Sequence, residues 1–224
     1  NRPYYPEYLE RLDYRKDVDW IEFRVKTPDE IPEKVMRVQE LVGKRTGIRL
    51  NEWKSKKELV SKYADQLFEL LDEAYAHLYG TTPLTREQVA FYIKTYLGFV
   101  DPRFTKVLVD SEDRLIGFCI TMPSLSRALQ KAGGRLFPFG WFHLLRALKR
   151  NDEVDMYLVA VKKEYQARGA IAFMMTALIN CALREGIKYA ETNPELETNV
   201  EVHSIWKDLE KRQHKRRRVY VKQL

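Results

Sequence analysis

The chain has 224 residues, 45% hydrophobic and 32% charged, which is enough apolar material for one sizeable core. No window reaches the roughly 18 apolar residues a membrane-spanning helix needs, and the start, Asn1-Arg-Pro-Tyr-Tyr, lacks the layout of a secretory leader. The net charge of +7 is local: from Lys207 onward eight Lys or Arg face two acids, so the tail holds +6 and residues 1–206 only +1, which argues against a general nucleic-acid surface and leaves one basic patch.

Taken in order, Trp20-Ile-Glu-Phe-Arg-Val alternates as a strand does, and Thr27-Pro-Asp-Glu breaks it and starts a short helix to about Val42. Residues 47–53 read as a strand. From Ser55 to about Tyr79, Leu59, Tyr63, Leu67, Leu70 and Leu71 recur at helical spacing. Thr85-Arg-Glu-Gln resembles a capping box opening a helix to about Leu97, its apolar positions expected in the core. Phe104–Val109 and Leu115–Met122, joined by Asp110-Ser-Glu-Asp-Arg, form an expected antiparallel hairpin. Two helical stretches follow, the second from Leu136 to Leu148. Asp155–Val161 reads as a central buried strand, then come a Gly-containing turn, a helix over 169–185, a strand over 187–192, a helix over 199–211 and a closing strand over 217–222. Cys119 and Cys181 each lie in an apolar run, so two buried free thiols in a cytoplasmic protein are expected.

Chemistry concentrates after the central strand. Val159-Ala-Val161, the turn Lys162-Lys-Glu-Tyr-Gln166, and Ala167-Arg168-Gly169-Ala170-Ile171 at a helix start bring unpaired backbone N–H groups and a positive helix end to one place. A phosphate or pyrophosphate suits it. Gly169 would allow close backbone approach and Arg168 a charge-assisted contact. An ordinary strand-to-helix turn is the bland alternative.

Val161-Lys-Lys-Glu-Tyr-Gln-Ala-Arg-Gly-Ala resembles motif A of the GNAT acyltransferases, in which a strand ending in Val is followed by a short turn, Gln or Arg, two residues, Gly, one residue, and Gly or Ala. Val161, Gln166 and Gly169 match. Ile171 stands in the last position, and Lys163 replaces a frequent Pro. The order of elements extends the resemblance over about residues 46–224. It implies an α/β (α+β) fold with a mixed, mostly antiparallel twisted sheet flanked by helices, interrupted by a helical insertion at about 124–150. It also implies that acetyl-CoA or a longer acyl-CoA is bound along Val159–Val161 and at residues 166–171, with no metal. An amine would attack the thioester directly, through a tetrahedral intermediate, while a backbone N–H polarises the carbonyl and a carboxylate takes the proton. Glu153, Asp155 and Glu191 are the local carboxylates and Tyr157 is a further polar group. Family members also tend to pair an Asn CoA contact with a general-acid Tyr six intervening residues on. Here Asn199 is followed at that spacing by Trp206, which cannot deliver a proton, so either another acid serves or transfer is lost. A catalytically inactive ligand-binding or regulatory GNAT-like domain is therefore the alternative.

The Asn-to-Tyr spacing recurs at Asn1 and Tyr8, and Tyr8 precedes Trp20-Ile-Glu-Phe-Arg-Val as Trp206 precedes Arg218-Val-Tyr-Val. Residues 1–26 then read either as the closing helix and strand of a preceding GNAT-like unit, with 27–224 the second, or as coincidence. The opening residue, which is not Met, suggests a piece of something longer. Leu136–Leu148, with Arg146, Lys149 and Arg150 beside it, would pack in the core, roof a pocket for a long acyl chain, or lie on a bilayer; core packing is the expected outcome. Lys211–Arg218 reads as a solvated face or turn, or as a contact for acyl-carrier protein, nucleic acid or CoA phosphates.

Overall fold

The structure is a computed structural model that describes residues 2–31, 33–51, 53, 55–96, 100–166 and 169–223, with the side chains of Lys34 and Lys56 left aside. Nine helices and eight strands follow in the order α1 (Tyr5–Arg11), β1 (Arg15–Lys26), α2 (Glu33–Thr46), β2 (Arg49–Asn51), α3 (Lys56–Tyr75), α4 (Arg86–Tyr96), β3 (Thr105–Val109), β4 (Leu115–Pro123), α5 (Ser126–Lys131), α6 (Gly140–Lys149), β5 (Glu153–Val161), α7 (Lys163–Gln166), α8 (Ala170–Glu185), β6 (Tyr189–Glu191), β7 (Glu195–Leu196), α9 (Val200–Ile205) and β8 (Lys211–Val221) among the described residues. One sheet holds all eight strands in the order β2-β3-β4-β5-β6-β1-β7, with β8 on β1. Only β5–β6 is parallel among the described pairings.

The two faces of this sheet follow from strand alternation. Leu158 and Ala160 of β5 join Leu59, Tyr63 and Leu67 of α3 on one face. Val159 and Val161 turn the other way, toward Met174 and Met175 of α8. The apolar spacing of α3 is thus a core stripe, begun by Ser55, whose hydroxyl accepts the Glu58 N–H at 3.2 Å. The capping box at Thr85 forms, with Gln88 Oε1 accepting the Thr85 N–H at 2.8 Å and the Thr85 hydroxyl accepting the Gln88 N–H at 3.3 Å. Both cysteines are free and buried.

Three expectations are corrected. Helix α4 buries no residue completely; Phe91 and Tyr96 face outward and Ile93 alone leans on the core, because α4 meets little beyond the edge of α3. Leu136–Leu148 is not core either: the chain leaves the sheet at Pro123 and returns at Glu153, so α5 and α6 pack on each other and on β4 while most of their large side chains stay exposed. The closing strand begins at Lys211 rather than 217, and the basic run lies on that strand, laid antiparallel along β1. It forms because β1 buries two acids. Asp19 accepts from Arg218 at 2.8 Å and also pairs with Arg216, while Glu22 pairs with Lys215 at 2.7 Å and with Arg217.

Strand β1 therefore lies within the same sheet, paired with β6 through Arg24–Lys26, with β7 through Trp20–Ile21 and with β8 along its length. Tyr8 sits exposed on α1; Asn1 lies outside the described residues. Among the described residues no helix is long and apolar enough to cross a membrane.

Candidate functional site

The site follows from an interrupted strand pairing. β5 and β6 run parallel only at Glu153↔Tyr189, Val154↔Ala190 and Asp155↔Glu191, and a register shift in β4–β5 pairing at Tyr157 then bends β5 away. Beyond Asp155 no described strand pairs with that side of β5. The Lys162 N–H donates to Ile116 O of β4 at 2.9 Å. By alternation, the peptide groups of Val159 and Val161 face the other way, into the gap. Their carbonyls are taken up locally: Tyr75 Oη donates to Val159 O at 3.1 Å and Gln166 Nε2 to Val161 O at 2.9 Å. Asn193 Nδ2 wedges the gap open, donating to Met156 O at 2.8 Å.

The gap is a cleft of about 250 Å3, lined by β5 from Met156 to Val161, by Gln166 and Ile171, by Tyr75 and Leu78, and on the far wall by Thr192–Leu196 and residues of α9. Helix α8 opens into its neighbourhood with no side-chain cap and no acid in its first turn. This uncapped helix start is where the sequence reading expects an anion to rest. Gly169 also has a packing role. Its φ is +82°, and an added Cβ would stand 2.5 Å from Val42 of α2, so this glycine lets two helices approach.

Of the residues named from sequence, Tyr157, Val159, Val161, Gln166, Ile171 and Asn199 line the cleft. Ala170 is fully buried behind it, and Ala167 and Arg168 lie outside the described residues. Asn199 caps α9, its Oδ1 accepting the Val202 N–H at 3.3 Å. The three carboxylates read from sequence are not among the lining residues. Glu153 is held by Arg24 at 3.2 Å and Arg127 at 3.3 Å. Glu191 lies 2.7 Å from His214 Nε2 beneath β8. Asp155 ends the β5–β6 pairing, its pKa raised by burial and opposed by a hydrogen bond from Ser124.

Two other carboxylates line the cleft: Glu201 on α9, which is exposed, and Glu195 on the two-residue strand β7, which is buried. Burial pushes its pKa up to about 7, against hydrogen bonds from Trp206 and Thr192 that pull it down. Trp206 Nε1 donates to Oε1 at 3.0 Å, while Oε2 has no hydrogen-bond partner and lies 3.5 Å from Nε2 of His203. His203 is held below its ordinary value, chiefly by burial and then by Lys211, so it is the neutral imidazole that stands beside the carboxyl group. Sequence periodicity passed over Glu195 because a two-residue strand has no period to detect. The signal that was available is its position, an acid between Pro194 and Leu196 shortly before the Asn199–Trp206 pair.

Behind Trp206 and Met156 lies a second, apolar cavity of about 60 Å3, lined by Phe104, Val154, Met175, Leu178 and Ile179 among others. Met156 and Trp206 belong to the walls of both spaces.

The sheet, the split between its parallel strands and the helix aimed at that split define a GNAT fold. A GCN5-related N-acetyltransferase from Sphaerobacter thermophilus superimposes on 96% of this chain and 54% of its own with a TM-score of 0.56 at 14% identity. No protein-family model matches the chain. Two curated proteins are similar along nearly its whole length. One is Protein YghO of Escherichia coli K12, 26% identical over 231 residues that cover 100% of this chain and 58% of that protein. The other is the bacterial ceramide synthase of Caulobacter vibrioides, 27% identical over 225 residues covering 96% of this chain and 57% of the relative. The chain thus spans a little over half the length of the curated relatives it matches.

Proposed function

We propose that this chain is an N-acyltransferase that moves an acyl group from an acyl-CoA, or from an acyl-carrier protein, to an amine, with Glu195 as the general base. The observation that carries the reading is the open side of β5 beyond Asp155 facing, across one cleft, a buried carboxylate with which no described Lys or Arg forms an ion pair. A pantetheine arm laid along Val159–Val161 would pair with the free peptide N–H groups there. The diphosphate would rest at the start of α8, beside Gln166 and, on the sequence resemblance, Ala167 and Arg168.

In the reaction the amine nitrogen bonds to the thioester carbonyl carbon, its proton passes to Glu195, and the carbon–sulfur bond breaks. The proton then returns to the departing thiolate. A base with a pKa near 7 can both take and give that proton near neutral pH. This removes the need for a tyrosine where Trp206 stands: the indole N–H orients Glu195 instead. Tyr157, half exposed at the bulge, is a polar contact for the incoming acceptor.

The apolar cavity behind Met156 and Trp206 favours an acyl chain longer than acetyl. A ceramide is the fatty amide of a long-chain amine, so the name of the Caulobacter relative agrees with a lipid amine as acceptor. Such an acceptor would bring the protein to a bilayer, and Leu136–Leu148 is the segment that would meet it. The cytoplasm, where CoA thioesters are made, is the compartment implied. We also read residues 1–26 as the closing part of a preceding unit, a reading that the insertion of β1 between β6 and β8 supports.

Calorimetric titration with CoA, acetyl-CoA and palmitoyl-CoA, followed by thiol release in the presence of long-chain amines, tests the reading. Binding of all three, tightest for palmitoyl-CoA, together with amine-dependent thiol release is expected. Binding without thiol release selects the inactive ligand-binding domain, which Ile171 and Trp206 in their unusual places would suit. Absence of binding removes both. Gly169→Glu is a poor control because the new side chain would collide with Val42; Gln166→Glu sets a negative charge beside the diphosphate without that collision.

A further inference from the structure

Between Leu115 and Asn151 the sequence contains six Lys or Arg and no acid. This stretch includes the whole α5–α6 hairpin, and neither the cleft nor the apolar cavity behind it takes any lining residue from 124–150. Gly133 and Gly134, both at positive φ, turn the chain between the two helices. The turn and the outer face of α6 carry Leu136, Phe137, Phe139, Trp141, Phe142 and Leu145 in the open, with Phe137 75% and Phe139 71% exposed. Trp141 spends its one polar group internally, its Nε1 donating to Pro138 O at 2.8 Å, so the ring it leaves in the open is apolar.

Leu144 and Leu148 point the other way, half-buried toward the protein. The cations bracket the apolar turn: Lys131 and Arg135 precede it, and Arg146, Lys149 and Arg150 follow. Among the described residues none of these five meets a carboxylate; only Arg127 does, through Asp152 and Glu153. This contrasts with the basic run of β8, where Lys215–Arg218 are all paired.

We propose that the α5–α6 hairpin is an interfacial anchor, its phenylalanine turn and the outer face of α6 entering an anionic bilayer surface while the bracketing cations meet lipid phosphates. Aromatic and aliphatic side chains at headgroup depth, with Lys and Arg at their margins, match both layers of such a surface. Six large apolar side chains in the open within ten residues are unusual on a protein that stays in water. The acidic surface of a carrier protein would satisfy the cations. It would not account for two phenylalanines left mostly in the open, which a fluid lipid layer accepts without a matching shape.

The proposal does not rest on acyl transfer, and its test uses no substrate. The full chain is floated with vesicles of phosphatidylcholine alone and of phosphatidylcholine mixed with phosphatidylglycerol. The expected result is binding to the mixed vesicles, roughly tenfold weaker to the neutral ones and roughly tenfold weaker in high salt. Phe137→Ser with Phe139→Ser should lower binding about tenfold or more at unchanged circular dichroism and thermal midpoint, as should Lys149→Glu with Arg150→Glu. Tryptophan emission should shift blue on binding and be quenched by brominated lipid, and Trp141→Phe should remove most of that change. Vesicle binding that ignores lipid charge, survives both double substitutions, or is replaced by binding to an acidic carrier protein alone would overturn the proposal.

Discussion

Strand β1 has two sides, and they handle buried carboxylates in opposite ways. Toward β8, Asp19 and Glu22 sit under Arg216, Arg218, Lys215 and Arg217, and Asp19 is held well below the usual carboxylate range, chiefly by the Arg218 hydrogen bond. Toward β7, where the sheet is splitting, Glu195 is also buried, but its hydrogen-bond donors are neutral and burial is the largest influence on it, so its pKa rises to about 7. Two buried carboxyl groups thus differ in the company they keep. The first is fixed as an anion and ties β8 to β1; the second can change its charge at neutral pH, which is what a proton carrier requires.

Removing the proton carrier should have the largest effect. Glu195→Gln keeps the shape and the Trp206 contact, so CoA affinity should stay within about twofold while the rate of amine-dependent thiol release falls roughly 10²–10⁴-fold. The other carboxylate should act on stability. Asp19→Ala leaves Arg218 without its carboxylate and Arg216 with Glu197 alone; because both arginines reach water, it should cost about 1–3 kcal/mol in urea unfolding. The pH dependences should be opposite in sign. Asp19 stabilises above its unfolded value, near 4, and that contribution is lost as pH falls below it toward the depressed folded value. Glu195, whose folded value is raised from 4.5 to about 7, makes the wild type less stable as pH climbs between those limits, by at most roughly 3 kcal/mol. Glu195→Gln should flatten that second slope and leave the acid limb alone.

Smaller shifts sharpen the contrast further. Gln166→Glu should weaken CoA binding about tenfold by setting a like charge near the diphosphate, measured by calorimetry. Trp206→Phe removes a donor that lowers the pKa of Glu195, so the rising limb of the rate profile should move to higher pH.

What the sequence made legible divides along the same line. Helices α3 and α8, the β3–β4 hairpin and the strand Asp155–Val161 carry enough apolar periodicity to be read directly, and with motif A they indicate the fold and one wall of the cleft. The other wall was hidden. Glu195 lies in a two-residue strand whose placement depends on Ile21 and Trp20 of β1, about 175 residues earlier, and no local pattern encodes such a pairing. The basic run over 211–218 reads as a solvated face and residues 212–218 are exposed, but its pairing with Asp19 and Glu22 had no local sign because those acids are equally remote. Leu136–Leu148 misled in the opposite sense: its helical apolar stripe is real, but a stripe states only that something must cover it.

The account stands most directly on the pH dependence of thiol release at saturating acyl-CoA and amine, compared between the wild type and Glu195→Gln. The wild-type rate should rise through a limb near pH 7 and then level off, and the variant should lack that limb at every pH while binding CoA normally. The same limb in both proteins would contradict it, because the proton would then be leaving by way of some other group.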